Sequence, residues 1–347
     1  MISLRPFHGK MRRLLRLPIP DILSKDVEKW EVAPGGHSHV PPAIFLPDQI
    51  ERIRGTEFSP RDAVIRSFRG KFDVEQEPTF GYRLKNVDLV DGVLYAGARQ
   101  RHLRTRVSRS LTYRVPTEIL NGVMYESWIG NRWFGTWLRQ DCLTYLLAAP
   151  ADETVTTAPP PSGHVPRYEA LLGMAPMRRQ TVHFEELILF EDLPNNEGKA
   201  ERAREVRKRI LANLNPDPLP GVFILRGKSG DQRILENERE IAERLAETYG
   251  FQVLDPASAT VDDIANVCGQ AKIIAGIEGS HLAHGLTTMP PDSTLLVIQP
   301  PERVVATLKM VTDRQGQGYA FVVAEGSDVR FRVDWEEIRR TLDLITQ

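Results

Sequence analysis

The stretch KIIAGIEGSHLAHGLTTMPPDSTLLVIQPP, residues 272–301, constrains the fold more than any other. Its opening apolar run, 272–275, has the character of a strand buried on both faces. Gly276-Ile277-Glu278-Gly279-Ser280 follows, a glycine-spaced turn in which the backbone bends sharply and approaches a ligand closely. Residues 281–288 continue at helical spacing, Pro290-Pro291 stop them, and 293–299 make a second strand. A strand–turn–helix–strand unit places ligands beyond the carboxyl ends of its strands. The free N–H groups opening the helix, with Ser280 beside them, are expected to suit a phosphate. Gly276, Gly279, Ser280 and His281 are therefore candidate anion-binding residues. Neither GxxxxGK[ST] nor GxGxxG is present, and the plainer alternative is an ordinary βαβ turn with glycines for packing.

The same alternation extends upstream. A strand at 222–225 runs into Arg226-Gly227-Lys228-Ser229-Gly230, a helix from about 235 to 249 ends at Gly250, and a strand follows at 251–254. Thr260, with Asp262 and Asp263 behind it, opens the next helix. This is the pattern of a doubly wound, nucleotide-type domain. Arg226 falls at a strand's carboxyl end and Arg233 is expected to enter the next helix. Each guanidinium suits a diphosphate through paired N–H bonds, with Lys228 assisting. The alternative for Arg233 is a surface pairing with Glu236 or Glu240. Asn237 and Glu238 are expected to orient the arginines or cap the helix.

The first half is less regular. A strand meander with an Asp91-Gly92 turn is expected over 81–103, and an amphipathic helix with an aromatic start over 131–149. Residues 197–214 are highly charged and are expected to form a long exposed helix between domains. At 347 residues, with a net charge of −1, the chain suits two domains and no charge-selected partner. Six arginines and no acid lie between Asp91 and Glu118; nucleic-acid binding is one reading, which no interleaved aromatics support, and a wall facing an anionic substrate or plain solvation are the others. Residues 1–20 carry five basic residues and no acid, with Leu14, Leu15 and Leu17 among them. A short solvated arm is one reading and peripheral contact with a membrane surface the other. Pro18 and Pro20 replace the apolar core of a secretory leader, no run spans a membrane, and Cys142 and Cys268 make no metal or disulfide pattern. A cytoplasmic protein, peripheral to the inner membrane at most, is expected.

Three ordered motifs, NRWFGTWLRQD (131–141), FILRGKSGDQRILENE (223–238) and GIEGSHLAHGL (276–286) with its trailing LLVIQPP, resemble glycosyltransferase family 61. That group holds bacterial capsular-polysaccharide transferases and eukaryotic xylosyl- and N-acetylglucosaminyltransferases. The resemblance implies an α/β, GT-B-like fold with two Rossmann-like domains facing across a cleft. It also implies an inverting mechanism, a nucleotide-sugar donor (usually UDP-linked), a glycan acceptor, and no metal or other cofactor. The expected division is an arm at 1–40, an acceptor-side domain at 41–205, a nucleotide-sugar domain at 206–310, and terminal strands and helix at 311–347. Gly276-Ile277-Glu278-Gly279-Ser280 stands where most members have Gly-x-His-Gly-Ala, and Thr136-Trp137-Leu138-Arg139-Gln140 where many have His-Trp-x-x-acid. A GT-B arrangement puts the base on the acceptor side, which makes Asp141 the candidate base and Trp137 the candidate sugar platform. Trp137 is alternatively a core aromatic. Glu278, in the donor turn, is expected to hold donor hydroxyls or serve as base. The absence of any Asp-x-Asp, and of a third ligand for His281 and His284, argues against a metal site. The rivals are a non-catalytic glycan or nucleotide binder on the same fold and a nucleic-acid binder using the 99–114 arginines.

Overall fold

The computed structural model describes every residue except 25, 152, 228–231 and 347. The candidate ligand Lys228 therefore lies outside the described residues. The chain divides into two compact units, Met1–Gly35 with Glu77–Pro194, and Gly36–Gln76 with Asn195–Gln347. The expected division gave most of residues 36–76 to the first domain. They belong instead to the second, because their apolar side chains find their partners there.

The second unit is built on five parallel strands: Val222–Ile224, Gln252–Leu254, Ile273–Ile277, Thr294–Gln299 and Gly318–Val323. Numbered along the chain, their spatial order is 2-1-3-4-5, with the order reversing between Val222–Ile224 and Ile273–Ile277. Alternate residues feed opposite cores, as a sheet covered on both faces requires. Val222, Ile224, Ile274, Leu295, Val297 and Phe321 pack with helices Val261–Cys268, Leu282–Thr288 and Thr307–Gln315. Phe223, Ala275, Ile277, Leu296 and Val322 pack with helices Glu238–Tyr249 and Trp335–Thr346. Local signals set the helix ends. Gly250 takes a left-handed conformation at φ 68° and receives the end of its helix. Thr260 and Asp263 form a reciprocal capping box.

The 36–76 excursion covers the first of these cores. Its helix Arg61–Arg69 sends in Val64 and Phe68, and the Phe68 ring stacks on Phe321 with centroids 4.3 Å apart. Ile44 bridges Ala320 at the sheet edge. The buried Lys309 ammonium donates to the Pro41 carbonyl and to both carboxylate oxygens of Asp313. Helix Glu197–Leu211, expected to be an exposed connector, buries Ala200, Ala203, Val206 and Ile210 within this unit. Most of its charges lie on the other face, and Lys199 is buried with the apolar one.

The first unit carries an eight-stranded mixed sheet. Strands Ile119–Met124, Thr154–Thr156 and Met177–Arg178 are parallel, with helices Cys142–Ala148 and Val165–Leu172 in the connections between them, a Rossmann-like run. Thr181–Glu191 joins this run in parallel and then pairs antiparallel with Thr79–Val90, which continues into the meander Val93–Ala96 and Arg99–His102. The meander turns at Asp91 and Gly92, both with positive φ, as the Asp-Gly pair predicts.

Candidate functional site

The second unit's sheet positions a cluster of charged side chains at its topological switch point, where open α/β sheets hold ligands. Arg226 follows strand Val222–Ile224 by two residues, Glu278 follows Ile273–Ile277 directly, and Arg303 lies four residues beyond Thr294–Gln299. Three neighbouring strands thus deliver their charges at the same, carboxyl, edge. Arg233 arrives from outside the sheet. It precedes the two-residue strand Ile234–Leu235, which pairs with Arg330–Arg332, so it does not enter a helix as expected. Nor does it take the surface role. It is buried, while Glu236 pairs with Arg330 and Glu240 with Arg332.

The three guanidinium groups converge on Glu278. Arg226 Nη1 and Arg233 Nη1 donate to its carbonyl oxygen at 3.3 and 3.2 Å. Its carboxylate oxygen Oε2 accepts from Arg233 Nη1, and from Arg303 Nη1 at 3.0 Å. Glu278, Arg226 and Arg233 are all buried, while Arg303 keeps 18% of its side chain exposed, opening the cluster to solvent. Glu238 fulfils the orienting role expected of it: its carboxylate accepts the Arg226 backbone N–H at 2.6 Å. Burial nonetheless raises the Glu238 pKa above the ordinary range. Asn237 ties the cluster's floor to Val333 through hydrogen bonds in both directions.

The glycines serve close approach. A Cβ on Gly279 would collide with Arg226 Nη1, and one on Gly276 would press on the Ile224 carbonyl and Leu282. Gly276 belongs to the strand and not to the turn. The helix-terminus expectation is corrected here. Helix Leu282–Thr288 has seven residues, and the N–H groups of Leu282, Ala283 and His284 already donate to Gly279, Ser280 and His281 carbonyls. Cationic side chains, not free amides, supply the positive potential. Ser280 flanks the turn, half-buried. His281 has both ring nitrogens buried without a hydrogen-bond partner among the described residues. Burial, reinforced by the Arg226 charge, holds its pKa well below the ordinary imidazole value, so it is neutral at pH 7. His284 is buried within its helix. Among the described residues no three His, Cys, Asp or Glu side chains come together as a metal site would need.

In the first unit, the 131–141 motif forms a short helix, Phe134–Thr136, and then a π-helical turn, Trp137–Asp141. Asp141 is 2% exposed; Oδ2 accepts the Ser127 backbone N–H at 3.1 Å and Oδ1 the Ser127 hydroxyl at 2.8 Å. A Cβ on Gly130 would collide with the same carboxylate. A general base needs an oxygen directed at its substrate; the bonds seen on Asp141 hold the 127–130 turn. Trp137, half-buried, tilts against Phe134 at 5.8 Å and meets Tyr168 edge-on at 6.4 Å. Arg303 was missed in the sequence, although its position just beyond a buried strand is the signal that singled out Arg226.

The family model described as Glycosyltransferase 61 matches residues 37–296. No curated protein matches. Among solved structures, the chain is similar to E. coli heptosyltransferase WaaC with ADP-2-deoxy-2-fluoro heptose, at 14% identity and a TM-score of 0.26, over 40% of this chain and 47% of that one. It is also similar to the Flv1 flavodiiron core from Synechocystis sp. PCC6803, at 10% identity and a TM-score of 0.26, over 77% and 62% of the two chains. The matches span less than two thirds of either solved chain, and likenesses of this size carry no argument about the site.

Proposed function

Because the chain belongs to glycosyltransferase family 61, we propose that it moves a sugar from a nucleotide diphosphate donor, UDP-linked in the family's usual manner, to a hydroxyl of a glycan precursor, with inversion. The donor diphosphate binds at the switch point on Arg226, Arg233 and Arg303. What supports this reading above all is the convergence of three guanidinium groups on one residue, Glu278, two on its carboxylate and one on its carbonyl oxygen, at the carboxyl edge of a parallel sheet.

In the transfer, the bond between the anomeric carbon and the diphosphate oxygen breaks as the acceptor oxygen attacks from the opposite face, and the acceptor hydroxyl's proton passes to solvent. Negative charge grows on the leaving diphosphate. Fixed guanidinium donors stabilise that charge without reorganising, the kind of contribution that dominates many enzymatic rate enhancements. Glu278 holds Arg233 and Arg303 in place before the donor arrives, and phosphate oxygens then share or take over those N–H groups. His281 remains neutral between the cations and offers a hydrogen bond to a phosphate without adding charge. With the arginines neutralising the leaving group, the reaction proceeds without a divalent cation.

The test is a thermal-shift screen of the whole chain against UDP-, GDP-, CMP- and dTDP-sugars, followed by donor hydrolysis and transfer assays with and without chelator. Ligand that binds only the native state raises apparent stability, by about 2.7 kcal/mol at a hundredfold excess over Kd. A selective shift with one nucleotide class, and turnover that survives chelation, is the expected result. Turnover abolished by chelator and restored by Mn²⁺ would overturn the arginine-based mechanism.

A further inference from the structure

The N-terminal segment is no solvated arm, and its helix is turned the wrong way round for a soluble surface. Strand Ile2–Ser3 pairs with Tyr113–Arg114, and helix Arg5–Leu14 follows. The helix docks on the first unit through polar and small groups. Arg5 Nη1 donates to Asp88 at 2.5 Å and to the Tyr113 hydroxyl at 3.1 Å, Pro6 and Gly9 are buried, and Gly9 fits so closely that a Cβ would strike Gln100. Arg13 reaches His102, and the Phe7 N–H donates to the Leu111 carbonyl. The apolar residues lie opposite. Leu4, Phe7, Met11 and Leu14 recur at three- and four-residue spacing, which puts them on one helix face. All four are exposed, Leu14 at 70%, and Met1, Ile2, Leu15 and Leu17 extend the exposed apolar surface.

An ordinary surface helix buries its apolar stripe and shows its charges. This one is fixed in place by an ion pair, a strand and a backbone hydrogen bond, with its apolar stripe presented outward. Exposed Lys10 and Arg16 and half-buried Arg12 border that stripe, and no acid occurs before Asp21. Arg109, also exposed, lies in the loop that receives Phe7. No helix among the described residues is long and apolar enough to cross a membrane. A short amphipathic helix with a basic border lies in the plane of a bilayer surface, its apolar face in the acyl boundary and its cations among anionic headgroups. A second copy of the chain fits less well, because seating this face on itself would set four cations against four.

We propose that helix Arg5–Leu14, with the flanking apolar residues, is a docking surface for an anionic lipid bilayer. The experiment is co-sedimentation of the full chain with vesicles of phosphatidylcholine alone and of phosphatidylcholine with about one-third phosphatidylglycerol. The chain is expected to sediment with the anionic vesicles, at least about tenfold more weakly with the neutral ones, and to be released by about 0.5 M salt, which shortens the reach of its cations. Phe7→Ser with Leu14→Ser, both at exposed positions, should weaken anionic-vesicle binding by about tenfold or more, as losing two inserted side chains requires. Lys10→Gln with Arg16→Gln should weaken it several-fold, and both pairs should keep the wild-type near-ultraviolet spectrum and nucleotide-induced thermal shift. Equal binding to neutral vesicles, no binding to anionic ones, or serine variants that bind like wild type would overturn the proposal. So would a dimer in solution that the serine pair dissolves, which would assign the face to a second copy.

Discussion

Glu278 combines two features that rarely meet at one position: it is buried, and it faces more positive than negative charge. Removing one partner of a buried ion pair commonly costs about 3–5 kcal/mol, because the other charge is left uncompensated. Glu278→Gln is therefore expected to lower Tm in the absence of ligand. UDP should then raise Tm further in the variant than in wild type, because its phosphates return the missing negative charge to Arg233 and Arg303. Equal UDP-induced shifts in the two proteins would remove Glu278 from the phosphate site. Arg303→Ala is expected to lose on the order of 2–4 kcal/mol of transition-state stabilisation in kcat/KM, the scale for removing one preorganised donor. Its side chain is the most exposed of the three cations, so Tm should move little. An unchanged kcat/KM would return Arg303 to a merely local pairing. His281 carries a pH signature. Its folded pKa lies well below the unfolded value of about 6.5, so the unfolded state takes up the proton first as pH falls. The stabilisation is present above pH 6.5 and is lost progressively as the pH falls below it. Thermal melts between pH 7.5 and 5.5 should accordingly fall less steeply for His281→Phe than for wild type, and parallel slopes would contradict this account.

At the level of elements, the motif 131–141 shows where sequence patterning succeeds and where it stops. Apolar spacing located a helix there, but it does not distinguish an α-turn from the π-turn at Trp137–Asp141, which lies in the same element and depends on tertiary contacts. Asp141 reads in the sequence as an acid one helical turn beyond Trp137. Its engagement by Ser127, and the close approach of Gly130, come from a loop outside the helix, which helical periodicity does not register. The expected consequence is coupling. Asp141→Asn and Ser127→Ala should each destabilise by about 1–3 kcal/mol through an unsatisfied buried group. The double variant should cost clearly less than their sum. A catalytic Asp141 would behave otherwise, with turnover abolished in Asp141→Asn while Tm stayed unchanged. By contrast, the strand, turn and helix of 273–288 were legible almost to the residue, because a fully buried strand, a glycine that permits close approach and a Pro-Pro stop are all local signals. What local signals could not supply was the direction faced by the N-terminal helix. Its amphipathicity is plain in sequence, but which face meets the protein depends on Asp88 and Gln100, some ninety residues away.

The whole molecule is interleaved in a way that no stretch of sequence announces. Composition does not change at residues 36 or 76, and only the distant partners of Phe68, Ile44 and Pro41 assign that segment to the second unit. Residues 195–347 alone should therefore fail to fold cooperatively, with the sheet-edge core beneath Phe68 left open. Joining 36–76 to 195–347 should restore a single cooperative melt. A short linker suffices, because the Asn195 N–H already donates to the Gln76 side chain at 2.9 Å. A cooperative melt from 195–347 by itself would show that the excursion is dispensable. The excursion also gives vectorial synthesis an order. The first unit is complete once residue 194 has emerged from the ribosome, whereas residues 36–76 must wait for strand Gly318–Val323, which is made well after it. During that interval they are not a free tail. Ala33 pairs with Thr79 in the first unit, and Gly36 pairs with Gln76 at the base of the excursion, so the segment is tied off as a closed loop. The finished unit has thus already met the entropy of closing the loop before the second core assembles on it. A nascent chain that stalls after residue 194 would display Phe68 and its apolar neighbours on a tethered, unpartnered loop, the exposed surface that chaperones bind.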